Sequence, residues 1–191
     1  MRPGLHAYRQ SPWLGPACEA EELPDGMLEH RRAEYLKGVI KTSKHALNQL
    51  SEDYHDFRQQ LSFFNPHLSK KHFSFTLDPD QQIRVTDPDQ VLTAAELGYL
   101  TERLNEREPL KAPLHTHART VMELVDHLTE MFGDRYTVTL ENFHKVIDFG
   151  QMFTRNTLGN VMNTWAWQVH QYADPREDAG SALPSQIDVT A

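Results

Sequence analysis

Between Pro24 and Pro66 the chain contains no proline, and its apolar residues recur three and four apart. Leu36, Leu50, Phe57 and Phe64 share one heptad position with Ser43, and Ala33, Ile40, Leu47, Tyr54 and Leu61 share the other. That spacing marks one face of a helix, whereas a half-buried strand alternates with period two. It predicts a continuous helix from about Gly26 to Phe64, roughly 50 Å long at about 1.5 Å per residue. A chain of 191 residues has to fold around such a rod.

Parallel two-stranded coiled coils favour β-branched residues at one seam position and leucine at the other. This seam carries Tyr54, Phe57 and Phe64 instead, so it is expected to meet varied helices of the same chain, with pairing between two chains as the competing arrangement. The centre needs such support, because Gly38, Thr42, Ser43 and the β-branched pair Val39 and Ile40 lower helix preference there.

The length suits one substantial core rather than two independently folded domains, and 39% hydrophobic residues place the chain among globular proteins. No run approaches the apolar length of a membrane span, and the first thirty residues hold no signal-like apolar core, so the expected location is cytoplasmic. Cys18 is the single cysteine. It excludes an intrachain disulfide and any multi-cysteine metal site, and no partner is in evidence to activate it as a nucleophile. The net charge of −8 is uneven, since residues 1 to 72 are near balance and the acidic excess lies beyond them. An acidic second half repels phosphate backbones and makes nucleic acid an improbable partner. The basic cluster Arg31, Arg32, Lys37, Lys41 and Lys44 has helical spacing and reads first as a solvated helix face.

Residues 1 to 25, interrupted by Pro3, Pro12, Pro16 and Pro24, are expected to form an irregular arm that Tyr8, Trp13 and Leu14 dock onto the body. Asp25 is a candidate cap for the long helix, which Pro66 ends. Phe73, Phe75 and Leu77 alternate with polar residues, as do Ile83 and Val85, and Asp78-Pro79-Asp80-Gln81 lies between them. The pattern predicts an antiparallel hairpin within residues 73–86 with one apolar face.

Thr93, with Glu96 three residues on, forms a capping box, and Leu92 and Leu97 occupy the positions of a hydrophobic staple. They open a helix carrying Leu97, Leu100 and Leu104, ending between Asn105 and Glu108. Pro109 and Pro113 are read as bracketing a linker before a helix from Thr116 to Phe132 that Gly133 stops. A brief extended piece near Tyr136 then leads to a helix that Thr139 caps and that carries Phe143, Val146, Ile147, Gly150 and Phe153. The last helix is expected from Thr157 to Tyr172, with Trp165, Val169 and Tyr172 on its broad apolar face and Trp167 buried off that stripe. Residues 174–191 give no reason to fold. The expected architecture is α+β and predominantly α: a helical bundle in one domain, residues 26–173, built around the long helix and a small hairpin.

No nucleophile elbow, phosphate-binding glycine-lysine loop, dinucleotide fingerprint or His-Glu-x-x-His helix is present. Glu123 with Asp126, or Glu141 with Lys145, fits an ordinary exposed carboxylate or ion pair at helical spacing as well as acid-base chemistry. For a metal, His115 and His117 can share one ion if their segment is extended, with His144 or Asp148 completing the set. Eleven histidines make a His-x-His pair easy to reach without function. The aspartates at 78, 80, 87 and 89 read as turn and cap residues, because neither segment has the glycine of a calcium loop.

No catalytic residue, cofactor or metal is therefore assigned. The expectation is a protein-interaction or regulatory module acting on a protein partner or a second copy of itself, with Trp13, Arg31, Arg32, Lys41 and Trp167 as contact residues. The acidic half would steer a basic partner. A metal-dependent hydrolase built on the histidine and carboxylate cluster is the alternative.

Overall fold

A computed structural model of the chain describes residues 11–14, 24, 26–154 and 161–176. Its axis is α1 (Met27–Phe64), unbroken over 38 residues and therefore about 57 Å long. Gly26 turns the chain into this helix at a left-handed φ of 80°, a conformation that costs a side-chain-bearing residue more than glycine. Asp25, the expected cap, lies outside the described residues, as do Tyr8, Cys18 and residues 157–160 of the expected last helix.

The seam is buried through Leu36, Ser43, Leu47, Leu50, Tyr54, Phe57 and Leu61. Its cover is α4 (Glu108–His127), which runs antiparallel to α1. The direction follows from the cross-links: Arg32 reaches the His127 carbonyl, Tyr35 bonds Glu123, and Ser43 pairs with His117. The aromatic seam thus packs within one chain. Its two ends depart from expectation. Ala33 is exposed, and so is Phe64, because Arg107, just before α4, already meets Gln60 and the last turn of α1 overruns its partner.

The start of α4 corrects the reading of Pro109 and Pro113 as a linker. Pro109 sits in the first turn, where a helix has no internal acceptor for its N–H groups. Pro113 forfeits one later bond, but Leu110, Leu114, Ala118, Val121, Leu124 and Val125 form a buried stripe across the whole segment. At about 2 kcal/mol per buried leucine or valine, that stripe outweighs the lost bond. The far end is also earlier than expected. Leu128 leaves the helical region at ψ 67°, α5 (Thr129–Phe132) adds a single turn, and Gly133 ends it with φ 61°. Arg32 stabilises this corner by donating to the His127 carbonyl at 2.6 Å and to Thr129 Oγ1 at 2.9 Å.

The hairpin pairs β1 (Ser74–Leu77) with β2 (Ile83–Thr86), Ser74 opposite Thr86 and Leu77 opposite Ile83. Asp78 Oδ1 closes the turn by accepting from Gln82 N at 2.8 Å. Asp87 does the same for Val91 N and Leu92 N, so both aspartates act as turn residues. Strand β1 does not have one buried face and one open face, since all four of its residues are buried. Phe75 lies against Tyr54 on α1 and against Phe149, while Ser74 packs on Gly150. A Cβ on that glycine would lie 2.3 Å from Ser74 Oγ and 2.8 Å from Ser74 Cα.

The free edge of β2 is closed by α3 (Ala94–Asn105). Asn105 accepts from Ile83 N at 2.9 Å and donates to Ile83 O at 2.6 Å, replacing the strand that would otherwise pair there. The capping box at the start of α3 forms as its sequence specifies: Glu96 N donates to Thr93 Oγ1, and Thr93 N donates to Glu96 Oε2 at 2.7 Å. Gly98 has open space at its Cβ position, so no close backbone approach requires it.

The single helix expected after Thr139 is two, α6 (Leu140–Val146) and α7 (Phe149–Thr154). Asp148 separates them. Its carboxylate accepts from Gln151 N at 2.8 Å, which starts a new helix in the manner of an N-cap, and it also accepts from the Ser74 hydroxyl. Beyond it, α8 (Val161–Tyr172) buries Trp165 and Val169. Residues 174–176 do fold, contrary to expectation: β4 (Asp174–Pro175) pairs with β3 (Tyr136–Thr137). Arg176 then donates through its backbone to Arg135 O at 2.9 Å and through its guanidinium to Asp126. Burial raises the Asp126 carboxyl, an effect that Arg176 opposes.

Candidate functional site

The last three turns of α1 and the outer face of α3 diverge, and the space between them is a groove of about 530 Å³. Phe57, Leu61, Phe64, Tyr99, Arg103 and Arg107 line it. Helical spacing places these side chains: Phe57, Leu61 and Phe64 lie three and four apart on α1, and Tyr99 and Arg103 lie four apart on α3. Phe63 is 80% exposed and Phe64 74% exposed, their rings in edge contact at 5.1 Å. Asn65 Nδ2 donates to the Tyr99 hydroxyl at 3.0 Å across the upper end.

Two guanidinium groups border this apolar surface. Arg103 lies 5.7 Å from the Tyr99 ring centroid and pairs with Glu106 at 2.9 Å. Arg107 lies 5.8 Å from the Phe57 ring and donates from Nη1 to Gln60 Oε1 at 2.7 Å, but its Nε is buried without a partner. An anchored arginine close to exposed aromatic rings suits a segment that brings an apolar side chain and an oxygen acceptor.

The contact residues expected from the sequence lie elsewhere. Trp13 sits on a 3-10 turn, Pro12–Leu14, packed on α1, with its ring 6.1 Å from Tyr35 and 5.1 Å from His127. It docks the Pro12–Leu14 turn on α1, and Arg32 holds the corner between α4 and α5. Both are spent inside the fold. Arg31 and Lys41 are exposed on α1, away from the groove lining. Trp167 is 41% exposed rather than buried, in edge contact with an equally open Tyr172 at 5.9 Å. The neighbouring Trp165 and Gln168 face inward, which leaves position 167 on the outer side.

The four candidate metal ligands are not brought together. Because residues 115–117 are helical rather than extended, His115 and His117 point about 200° apart around the axis. His115 Nε2 is 3.0 Å from Gln81 O. His117 is fully buried, with Nδ1 3.0 Å from Ser43 Oγ, and burial pushes it down to about 4 against a small opposing effect of Ser43. Asp148 is bonded to Ser74 and Gln151, and His144 Nδ1 is buried without a partner. Among the described residues no three His, Cys, Asp or Glu side chains converge as a metal site.

A second polar contact between α1 and α4 lies nearer the start of α1. The Tyr35 hydroxyl donates to Glu123, and burial together with that carboxylate holds the phenol up at about 12. The groove is hidden in the sequence because the heptad spacing assigns Phe64 to the seam and Phe63 to no stripe. The available signal was the start of α4: a cover helix beginning near residue 108 leaves the end of a long rod uncovered. Among the described residues no helix is long and apolar enough to cross a membrane. Comparison of the chain with protein-family models, with curated proteins and with solved structures finds no match.

Proposed function

We propose that the protein is an interaction module that binds a segment of a protein partner in the groove between α1 and α3. The observation that carries this reading is the pair Phe63 and Phe64, exposed at 80% and 74% beside a groove of about 530 Å³. Adjacent exposed rings gain by being covered, and aromatic residues and arginine dominate the energetics of protein contacts. The groove carries Arg103 and Arg107 against a single acid, Glu106. Its occupant is therefore an amphipathic segment with an apolar or aromatic anchor and a carboxylate. This differs from the basic partner that net charge alone suggests, because close pairs are decided by local groups while distant charge is screened beyond about 8 Å at physiological salt.

Peptide display on the intact chain tests the reading, with counter-selection on a Phe63→Ser, Phe64→Ser variant. Enrichment of sequences that combine an aromatic or large aliphatic residue with Asp or Glu is the expected outcome. Equal recovery on the wild type and the variant would overturn it. Sedimentation of the same two proteins separates a foreign partner from a second copy: concentration-dependent dimerisation lost in the variant would make the partner this chain itself.

A further inference from the structure

A second cleft opens on the neighbouring face of α1, and its chemistry is unlike that of the groove. Ser51, Tyr54, His55 and Arg58 recur at positions i, i+3, i+4 and i+7, one side of the helix, and His72 and Phe73 close the cleft from the segment entering β1. The volume is about 190 Å³, below the roughly 300 Å³ at the small end of sites for drug-sized ligands.

No acid lines this cleft, although the chain carries a net charge of −8 and two other grooves include Glu106 and Asp53 respectively. Arg58 is half-buried and held in place: Nη2 donates to Ser69 O at 2.7 Å, and the guanidinium stacks 4.6 Å from the Phe73 centroid. Among the described residues no carboxylate lies within 4.0 Å of it, whereas Arg32, Arg103 and Arg176 each have one. Two acids next to the lining residues, Asp148 near Tyr54 and Asp89 near His72, are committed to other groups. Asp148 accepts from Ser74 and Gln151, and Asp89 accepts from His72 Nδ1 at 2.8 Å.

The other lining groups supply donors. Burial keeps the Tyr54 phenol up at about 12 against the opposing pull of Arg58, so it keeps its proton at neutral pH. Gln59 Nε2 lies 2.9 Å from His55 Nε2. That contact leaves the second ring nitrogen, Nδ1, for a ligand. Ser51 adds a hydroxyl. We propose that this cleft binds the phosphoryl group of a phosphate monoester, with Arg58 as the central charge and Ser51, Tyr54 and His55 as surrounding donors. A fixed guanidinium with three further donors beside it on the same side of α1 is better matched by the three oxygens of a phosphoryl group than by the two of a carboxylate. The site is separate from the groove and does not depend on the reading of it.

The test is an NMR titration of the full chain with inorganic phosphate and with phenyl phosphate, at ionic strength held constant with chloride. Saturable shifts at His55, His72 and the Arg58 side chain are expected. Arg58→Gln should weaken binding about tenfold or more, while Arg84→Gln, an exposed arginine on β2, leaves it unchanged. If Arg58→Gln also lowers the unfolding midpoint, His55→Ala decides, since His55 is exposed and that variant should fold normally and still bind several-fold more weakly. Tighter binding of phenyl phosphate than of inorganic phosphate would point to an esterified ligand, and the reverse order to the free ion. Shifts that do not saturate with either probe, or that are the same in wild type and His55→Ala, would overturn the proposal.

Discussion

His117 offers the sharpest test of how α1 and α4 are joined. It is fully buried between them and bonded to Ser43 Oγ at 3.0 Å, and its Nε2 has no partner. Burial lowers its pKa from 6.5 to about 4. Above pH 6.5 the imidazole is neutral in both folded and unfolded chains and titration costs nothing. As pH falls through the window from 6.5 to 4 the unfolded chain takes up a proton that the folded chain refuses, and stability is lost. Integrated from pH 8 to pH 5, this amounts to about 2 kcal/mol. The perturbation is His117→Asn, which sets an amide nitrogen near the place of Nδ1, retains a partner for Ser43 and does not titrate. Urea unfolding followed by the fluorescence of buried Trp165 at pH 8 and pH 5 gives the loss for each protein. The wild type should lose about 2 kcal/mol more than His117→Asn over this range. Equal losses would show that His117 is not buried in its neutral form, and would refute the packing of α1 on α4 at this point.

Other expectations follow from particular contacts. Gly150→Ala should destabilise by about 2 kcal/mol or more, because its Cβ would meet the Ser74 backbone, whereas Gly98→Ala, with open space, should stabilise by about 0.5–1 kcal/mol; thermal unfolding of the two variants separates them in sign. Leu50→Ala, fully buried at the middle of the seam, should cost about 2–5 kcal/mol in urea unfolding, while Phe64→Ala should stay within about 0.5 kcal/mol of wild type. Lys71 and the backbone at Thr93 hold Glu96 down at about 2, so the stability it contributes is present above pH 4.5 and is lost as pH falls toward 2. Lys71→Met should move the carboxyl titration of Glu96 upward, as seen by carbon-detected NMR.

The parts of this fold legible in the sequence are those where one local rule acts unopposed. The rod, the existence of the hairpin and the capping box at Thr93 rest on period, turn chemistry and cap chemistry, and each is realised. Errors arose where two rules competed. At Pro109 and Pro113 a helix-breaking signal stands against a buried stripe that runs through it, and the stripe prevails. Between Val146 and Phe149 the helical period was continuous, but Asp148 had a second use as a cap and as a partner for Ser74, a contact made across 74 residues. Trp167 failed for a related reason: a two-residue offset places it on the outer side of α8, and the period alone does not say whether anything covers that side. The candidate sites lay further from reach. His115 and His117 suggested a metal only if extended, and the helix that forbids it is the one the prolines concealed. The phosphoryl cleft needs His72 and Phe73 brought against α1, which depends on how the chain returns after Pro66. The α1–α3 groove likewise depends on where α4 begins, a tertiary fact with no local signature.

The binding role of that groove is tested most directly by the affinity of one display-selected peptide for three forms of the chain, measured by fluorescence polarisation. The wild type is compared with Phe63→Ser, Phe64→Ser and with Lys41→Ala, Trp167→Ser, both double variants altering exposed residues. The account predicts a loss of about a hundredfold in the first, corresponding to roughly 2–3 kcal/mol for two removed anchors, and no change in the second. Binding retained by the Phe63, Phe64 variant and lost by the Lys41, Trp167 variant would contradict it.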